Sequence, residues 1–189
     1  MSEHTSVSEH EAPPATAERP ARPEGRRLRR DAAFFLIAAA VIALDQATKF
    51  LVRATLSRGD AWPDADWVLR IVHVANSGAA FGILRGQTAF LVITSIVGVA
   101  AIVLYYFSPL LEHGLLRAAM GLQLGGAAGN LIDRIRTGEV TDFIDFEFWP
   151  AFNVADASIT IGVVTILSFF LVLEGDRLRR PPGAGTTGD

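Results

Sequence analysis

The residues able to do chemistry are concentrated between positions 125 and 156, GGAAGNLIDRIRTGEVTDFIDFEFWPAFNVAD. A glycine-rich apolar run ends there in Asn130, Asp133 and Arg134, an aromatic and acidic loop follows, and a second apolar run opens with Asn153 and Asp156. Asp133, Asp142, Asp145 and Asp156 crowd this seam. Ionisable side chains at the ends of membrane-length segments are costly and by default mark a functional site. Crowded carboxylates in a partly dry place keep one acid protonated beside one ionised, the arrangement for general acid and general base work on a single water. The chemistry expected is hydrolysis by an intramembrane carboxylate pair.

The chain that must position these acids has 189 residues, 50% of them hydrophobic, and a mean hydropathy of +0.34, high for a soluble domain. The excess sits in four runs, and the first thirty residues are polar. A net charge of −3 and the lack of a basic stripe exclude a nucleic-acid surface. With no cysteine, a disulfide framework, a thiol nucleophile and a thiolate metal site are excluded. His73 and His113 are expected on opposite sides of the membrane, so no shared metal site forms and no metal or cofactor is expected.

The apolar runs are Ala32 to Leu56, Thr88 to Phe107, Leu115 to Ile132 and Ala155 to Leu173, each near the length needed to cross a bilayer. The expected fold is an all-α membrane protein of four transmembrane helices with a small extracytoplasmic β-sheet. Residues 1–30, rich in proline and charge, form a disordered cytoplasmic tail. Residues 31–175 form the membrane domain with outer loops 57–86 and 135–153, and 176–189 a flexible cytoplasmic end. Arg26, Arg27, Arg29 and Arg30 before the first run, and Arg177, Arg179 and Arg180 after the last, place both termini in the cytoplasm. Trp62, Trp67 and Trp149 then fall in the outer loops as an interfacial belt. The alternation in WVLRIVHVAN predicts short strands, followed by a surface helix near Ala79 to Leu84.

This topology gathers the polar residues at one depth. Helix 1 runs outward and carries Asp45 and Lys49 toward the outer leaflet; helix 3 ends there with Asn130, Asp133 and Arg134; helix 4 starts there with Asn153 and Asp156. Each also has an ordinary reading. Asp45 and Lys49, four apart, make a neutralised pair that supports structure. Gly121, Gly125 and Gly129 make a close-packing face. Asn76 and Gly78 form a turn, Asn153 a helix cap, and Asp133 with Arg134 an ion pair at a helix end. Asp142, in VTDFI, and Asp156, inside an apolar run, have no such partner in sequence.

DQATK at 45 to 49, NSGAAFG at 76 to 82, GGAAGNLIDR at 125 to 134, VTDFIDF at 140 to 146 and FNVADASIT at 152 to 160 together resemble the five sequence blocks of bacterial lipoprotein signal peptidase, or signal peptidase II. The likeness spans about residues 32 to 174, with Thr141 standing where an apolar residue is expected. The resemblance implies an aspartic endopeptidase of the bacterial cytoplasmic membrane. Such an enzyme removes the signal peptide from diacylglyceryl-modified prolipoproteins, cutting just before the lipidated cysteine. It implies Asp142 and Asp156 as the catalytic dyad, with Asn76, Gly78, Gly126, Asn130, Arg134 and Asn153 binding substrate or supporting the site. Asp45 and Lys49 are implied to be architectural. The implied partners are membrane-embedded precursors and the lipid bilayer, and no nucleic acid. A proton-coupled transporter and a membrane packing subunit remain as alternatives.

Overall fold

The structure, a computed structural model, describes residues 24–63, 67–78, 87–107, 113–146 and 148–179. Along the chain run α1 (Glu24–Thr55), β1 (Ala61–Trp62), β2 (Leu69–Asn76), α2 (Thr88–Tyr106), α3 (Gly114–Thr137), β3 (Val140–Phe146), β4 (Trp149–Phe152) and α4 (Val154–Arg179). The expected surface helix at 79–84 lies outside the described residues, as do positions 1–23 and 180–189 of the expected tails 1–30 and 176–189, whose remaining residues belong to α1 and α4. The first helix begins at Glu24 rather than near residue 31, because EGRRLRRDAA is built largely of strong helix formers.

Three helical stretches, Asp31–Thr55, Thr88–Tyr106 and Val154–Val172, are long and apolar enough to cross a membrane. The third, α3, is not among them, since it carries Arg117, Gln123, Asn130, Asp133, Arg134 and Arg136. It is instead the central helix, packed by α1, α2 and α4. A helix shielded by neighbours has less need of a lipid-soluble surface. Glycine permits the close approach. A Cβ at Gly121 would stand 2.8 Å from the Phe34 carbonyl oxygen, and one at Gly125 2.6 Å from Val41 Cβ. Phe34, Tyr106, Leu116 and Met120 close the bundle at the end away from the acids, with the Phe34 and Tyr106 rings stacked at 4.4 Å.

The strand expected around Leu69–Asn76 forms as β2, but the second loop is not a loop. It folds as β3 and β4, completing an antiparallel sheet in the order β1-β2-β3-β4. Leu69 pairs with Phe146 and Asn76 with Val140, so the two outer segments are one unit. A bulge sets Val72 and His73 opposite Phe143, and beyond it Val74 pairs with Asp142. Such bulges bend a strand and re-aim side chains. His73 accordingly turns inward, its Nδ1 2.8 Å from the Leu56 carbonyl oxygen, which ties the sheet to the end of α1.

Candidate active site

The site is assembled where α3 ends, β3 passes and α4 begins. Asn153 caps α4: the Asp156 amide donates to Asn153 Oδ1 at 3.0 Å, and the Asn153 amide donates back to Asp156 Oδ2 at 3.3 Å. This reciprocal pair is a capping box, with Asn and Asp in the roles usually taken by Ser or Thr and Glu. One more amide of the same helix end, that of Ala155, donates to Asp45 Oδ1 at 3.0 Å. The carboxylate of Asp156 is therefore fixed by the start of its own helix.

Both central carboxylates are gripped by asparagine amides. Asn130 Nδ2 donates to Asp156 Oδ1 at 2.8 Å. Asp142 accepts from Asn153 Nδ2 at 2.6 Å and from Asn76 Nδ2 at 2.9 Å. Asn153 thus bridges the two acids. Gly78 orients Asn76 by donating its amide to Asn76 Oδ1 at 2.9 Å, leaving Nδ2 to face Asp142. Asp142 is enclosed, 3% exposed, whereas Asp156 is half-buried and opens on the cavity. Burial pushes the Asp142 carboxyl up to about 6; Asn76 and Asn153 oppose this by donating to its charged form, and the nearby charge of Asp156 adds to it.

A second layer holds the first. Lys49 Nζ lies 2.9 Å from Asp45 and 3.0 Å from Asp133, and donates to Asn130 Oδ1 at 2.9 Å. With its oxygen engaged, Asn130 can only present its NH₂ to Asp156. Asp45 and Lys49 are both fully buried, and their charges are matched within the cluster. Gln46, which the sequence reading passed over within DQATK, adds hydrogen bonds to Asp45, the Gly129 carbonyl and Asp133. The expected pair of Asp133 with Arg134 does not form. Consecutive helical side chains point about 100° apart, so Asp133 turns to Lys49 and to Arg53, 3.7 Å away. Arg134 turns to the cavity, 3.5 Å from Ser95 Oγ of α2. Asp145 is drawn off by Arg70 at 2.6 Å. Of the four crowded acids, two are thus committed to basic partners. Arg53 was also not singled out in the sequence; it donates to Thr141 Oγ1 at 3.0 Å, satisfying the hydroxyl at the unexpected polar position.

Gly126 faces α4: a Cβ there would be 2.4 Å from the Ala155 carbonyl oxygen. Its place in the site is to let α3 and α4 meet one turn from Asn130. Between the acids and β4 opens a cavity of about 1080 Å³. Asn76, Gly78, Asn130, Arg134, Asp142 and Asp156 give it a polar end, and Trp149, Phe152, Ile159 and Ile161 an apolar wall. Two carboxylates, several amide groups and a guanidinium on one such space suit acid and base catalysis on an extended, largely apolar polyamide.

Residues 37–172 match the family described as signal peptidase (SPase) II. The lipoprotein signal peptidase of Moorella thermoacetica is 38% identical over 149 residues, which is 78% of this chain and 99% of that protein. That of Dehalococcoides mccartyi is 41% identical over 146 residues, 75% of this chain and 91% of the relative. A solved structure described as a bacterial membrane enzyme determined by the in meso method at 2.3 Å resolution shares the fold with a TM-score of 0.74 and 36% identity, covering 79% of this chain and 94% of that one. A second, at 1.9 Å resolution, gives a TM-score of 0.68 and 38% identity over 74% of this chain and 93% of that one. Sequence, fold and the clustering of acid and amide side chains agree, and the chain belongs to the signal peptidase II family.

Proposed function

We propose that the protein is an aspartic endopeptidase of the bacterial inner membrane. It removes signal peptides from diacylglyceryl-modified prolipoproteins, cutting just before the lipidated cysteine. One observation carries the assignment of the chemistry: Asp142 and Asp156 are bridged by Asn153, and both line one cavity. The family supports the reaction, whereas proton-coupled transport has no support.

The reaction follows from the pair. The ionised carboxylate takes a proton from water as the water oxygen attacks the scissile carbonyl carbon, and the protonated carboxyl donates to the carbonyl oxygen, giving a gem-diol. On collapse the C–N bond breaks, a proton passes to the leaving amine, and the dyad regains its single proton. The two acids titrate as a unit, so the proton belongs to the pair. The amides of Asn76, Asn130 and Asn153 hold the carboxylates still, and Arg134 steadies the substrate backbone. This positioning removes reorientation from the barrier. The acyl chains stay in the bilayer beside the cavity. Burial of each methylene is worth about 0.8 kcal/mol, which localises the precursor without touching the bond cut.

In this reading α3 is a fourth crossing, shielded by the other helices. Both termini are cytoplasmic, and residues 31–175 are the catalytic unit. The decisive experiment incubates the purified protein in detergent with a lipidated precursor and identifies the products by mass. Release of the signal peptide, with lipidated cysteine as the new N-terminus, is expected. An uncut precursor, or equal cutting of one without lipid, would refute the assignment.

A further inference from the structure

A threonine stands at position 141, where the resembled sequence block has an apolar residue, and it is buried. A hydroxyl taken out of water costs free energy unless it is bonded. Its partner is Arg53 in the last turn of α1, whose Nη1 donates to Thr141 Oγ1 at 3.0 Å. Arg53 lies four residues past Lys49 and therefore on the same face of α1, the face that reaches Asp133 of α3. Thr141 is held a second time through its backbone. Its amide donates to Asp133 Oδ2 at 3.3 Å, the oxygen that also meets Lys49 at 3.0 Å. Thus α1 and α3 grip one residue of β3, by side chain and main chain together.

That residue immediately precedes Asp142. Successive side chains of a strand point to opposite faces. Thr141 turns to Arg53, and Asp142 to Asn153 and Asn76. The ladder between β2 and β3 is interrupted just beyond, between the pairs Val74 with Asp142 and Ile71 with Ile144. A bulged ladder fixes a strand less firmly, so the grip on Thr141 bears on where Asp142 stands. Arg53 also has an ordinary reading, since a cation suits the end of a helix and Asp133 lies 3.7 Å away. Neither of these requires a hydroxyl at 141, and a valine there would leave both in place.

We infer that Arg53 is a positioning residue for the reaction: through its bond to Thr141 Oγ1 it holds β3 where Asp142 meets Asn153 and the cavity. This rests on the peptidase reading above. Neither Arg53 nor Thr141 lines the cavity, so the effect on the reaction passes through Asp142.

The test is a double-mutant cycle on cleavage of a lipidated precursor, with kcat and KM measured separately on monodisperse protein well below its unfolding midpoint. Thr141→Val removes the acceptor at nearly equal size and keeps the contact of Arg53 with Asp133. Arg53→Met removes the donor and keeps a flexible apolar stem. Each is expected to lower kcat by about three- to thirtyfold, short of the roughly 10²-fold that a misplacement of about 1 Å can cause. KM should be unchanged, because no substrate contact is lost. The double variant should be no slower than the slower single one, since both remove the same bond. Thr141→Ser, which keeps the hydroxyl, should retain the wild-type kcat. A bond that serves stability alone would lower the unfolding midpoint and leave kcat unchanged. That result, a loss confined to KM, single losses that multiply in the double variant, or a Thr141→Ser as slow as Thr141→Val overturns the inference and leaves the peptidase reading intact. If the wild type cuts no lipidated precursor, both are overturned.

Discussion

At the residue scale, the division of labour among the acids sets the expected mutant behaviour. Asp133 and Asp145 are held by Lys49 and Arg70, at 3.0 and 2.6 Å, so neither is free to exchange a proton with substrate. Asp142→Asn and Asp156→Asn should each cut turnover by at least roughly 10²- to 10⁴-fold with precursor still bound, and the double variant should be little worse than either. Near-normal turnover in Asp142→Asn, measured on protein that remains monodisperse, would remove Asp142 from the dyad. The same substitution has a stability consequence of definite sign. Asp142 has its carboxyl raised from 3.8 to about 6 in the fold. Between those values the native state holds a proton that the unfolded chain has released, so stability is lost as pH rises through this window and does not return above it. The shift corresponds to on the order of 2–3 kcal/mol at most. The difference in unfolding midpoint, Asp142→Asn minus wild type, should therefore grow from pH 4 to pH 6 and then level off. A difference that shrinks across that range contradicts the burial argument.

At the scale of elements, the site depends on how closely α3 and α4 approach, and Gly126 is where that is decided. The obstacle to a side chain there is the Ala155 carbonyl oxygen, a backbone atom that cannot rotate away. Gly126→Ala should force the helices apart, carry Asn130 away from Asp156, lower kcat and destabilise the fold by about 1–3 kcal/mol. Gly98→Ala in α2, where nothing lies within 4 Å, is the matched control and should be neutral or slightly stabilising. Equal behaviour of the two in thermal unfolding and cleavage assays would show that the contact is unimportant. How far such elements can be read from sequence depends on what their side chains face. LRIVHVAN declares a strand through its β-branched alternation, and the apolar runs declare α1, α2 and α4. VTDFIDF conceals β3, because the residues that spoil its apolar pattern, Asp142 and Asp145, are satisfied by partners distant in sequence, Asn76 and Arg70. The same distance hides the bonds of Gln46 and Arg53: i,i+4 spacing reveals Asp45 with Lys49, but nothing local points from α1 to Asp133 or Thr141. Residue type and topology gather Asn130, Asn153 and Asp156 at one depth, and Asn76 and the choice of Asp142 come only from the resemblance, while the layer that orients them required the packing of α1 on α3.

At the scale of the whole molecule, the contacts among the helices tie the number of bilayer crossings to the sides on which the two ends lie. The sheet, with Trp62 in β1 67% exposed and Trp67 just before β2 62% exposed, lies at the same end of the bundle as Asp142 and Asp156. Aromatic side chains of this kind favour the membrane–water interface. If α3 crosses along with the three apolar spans, the N- and C-terminal segments share a side, and the sheet and dyad lie on the other. If only Asp31–Thr55, Thr88–Tyr106 and Val154–Val172 cross, the two ends lie on opposite sides, and Asn130 and Ala155 would lie across the membrane from their partners Lys49 and Asp45 of α1. The native chain has no cysteine, so single cysteines report position without background. Ser2→Cys, Val68→Cys and Gly183→Cys are far from the dyad in sequence and should leave cleavage unchanged. In intact cells a membrane-impermeant maleimide should label position 68 and spare positions 2 and 183, which should react only after the membrane is permeabilised. Labelling at 183 with protection at 2 would mean three crossings. It would also set the end of α3 and the start of α4 across the membrane from Asp45 and Lys49, at odds with the 2.9 Å bond from Lys49 to Asn130 and the 3.0 Å bond from the Ala155 amide to Asp45.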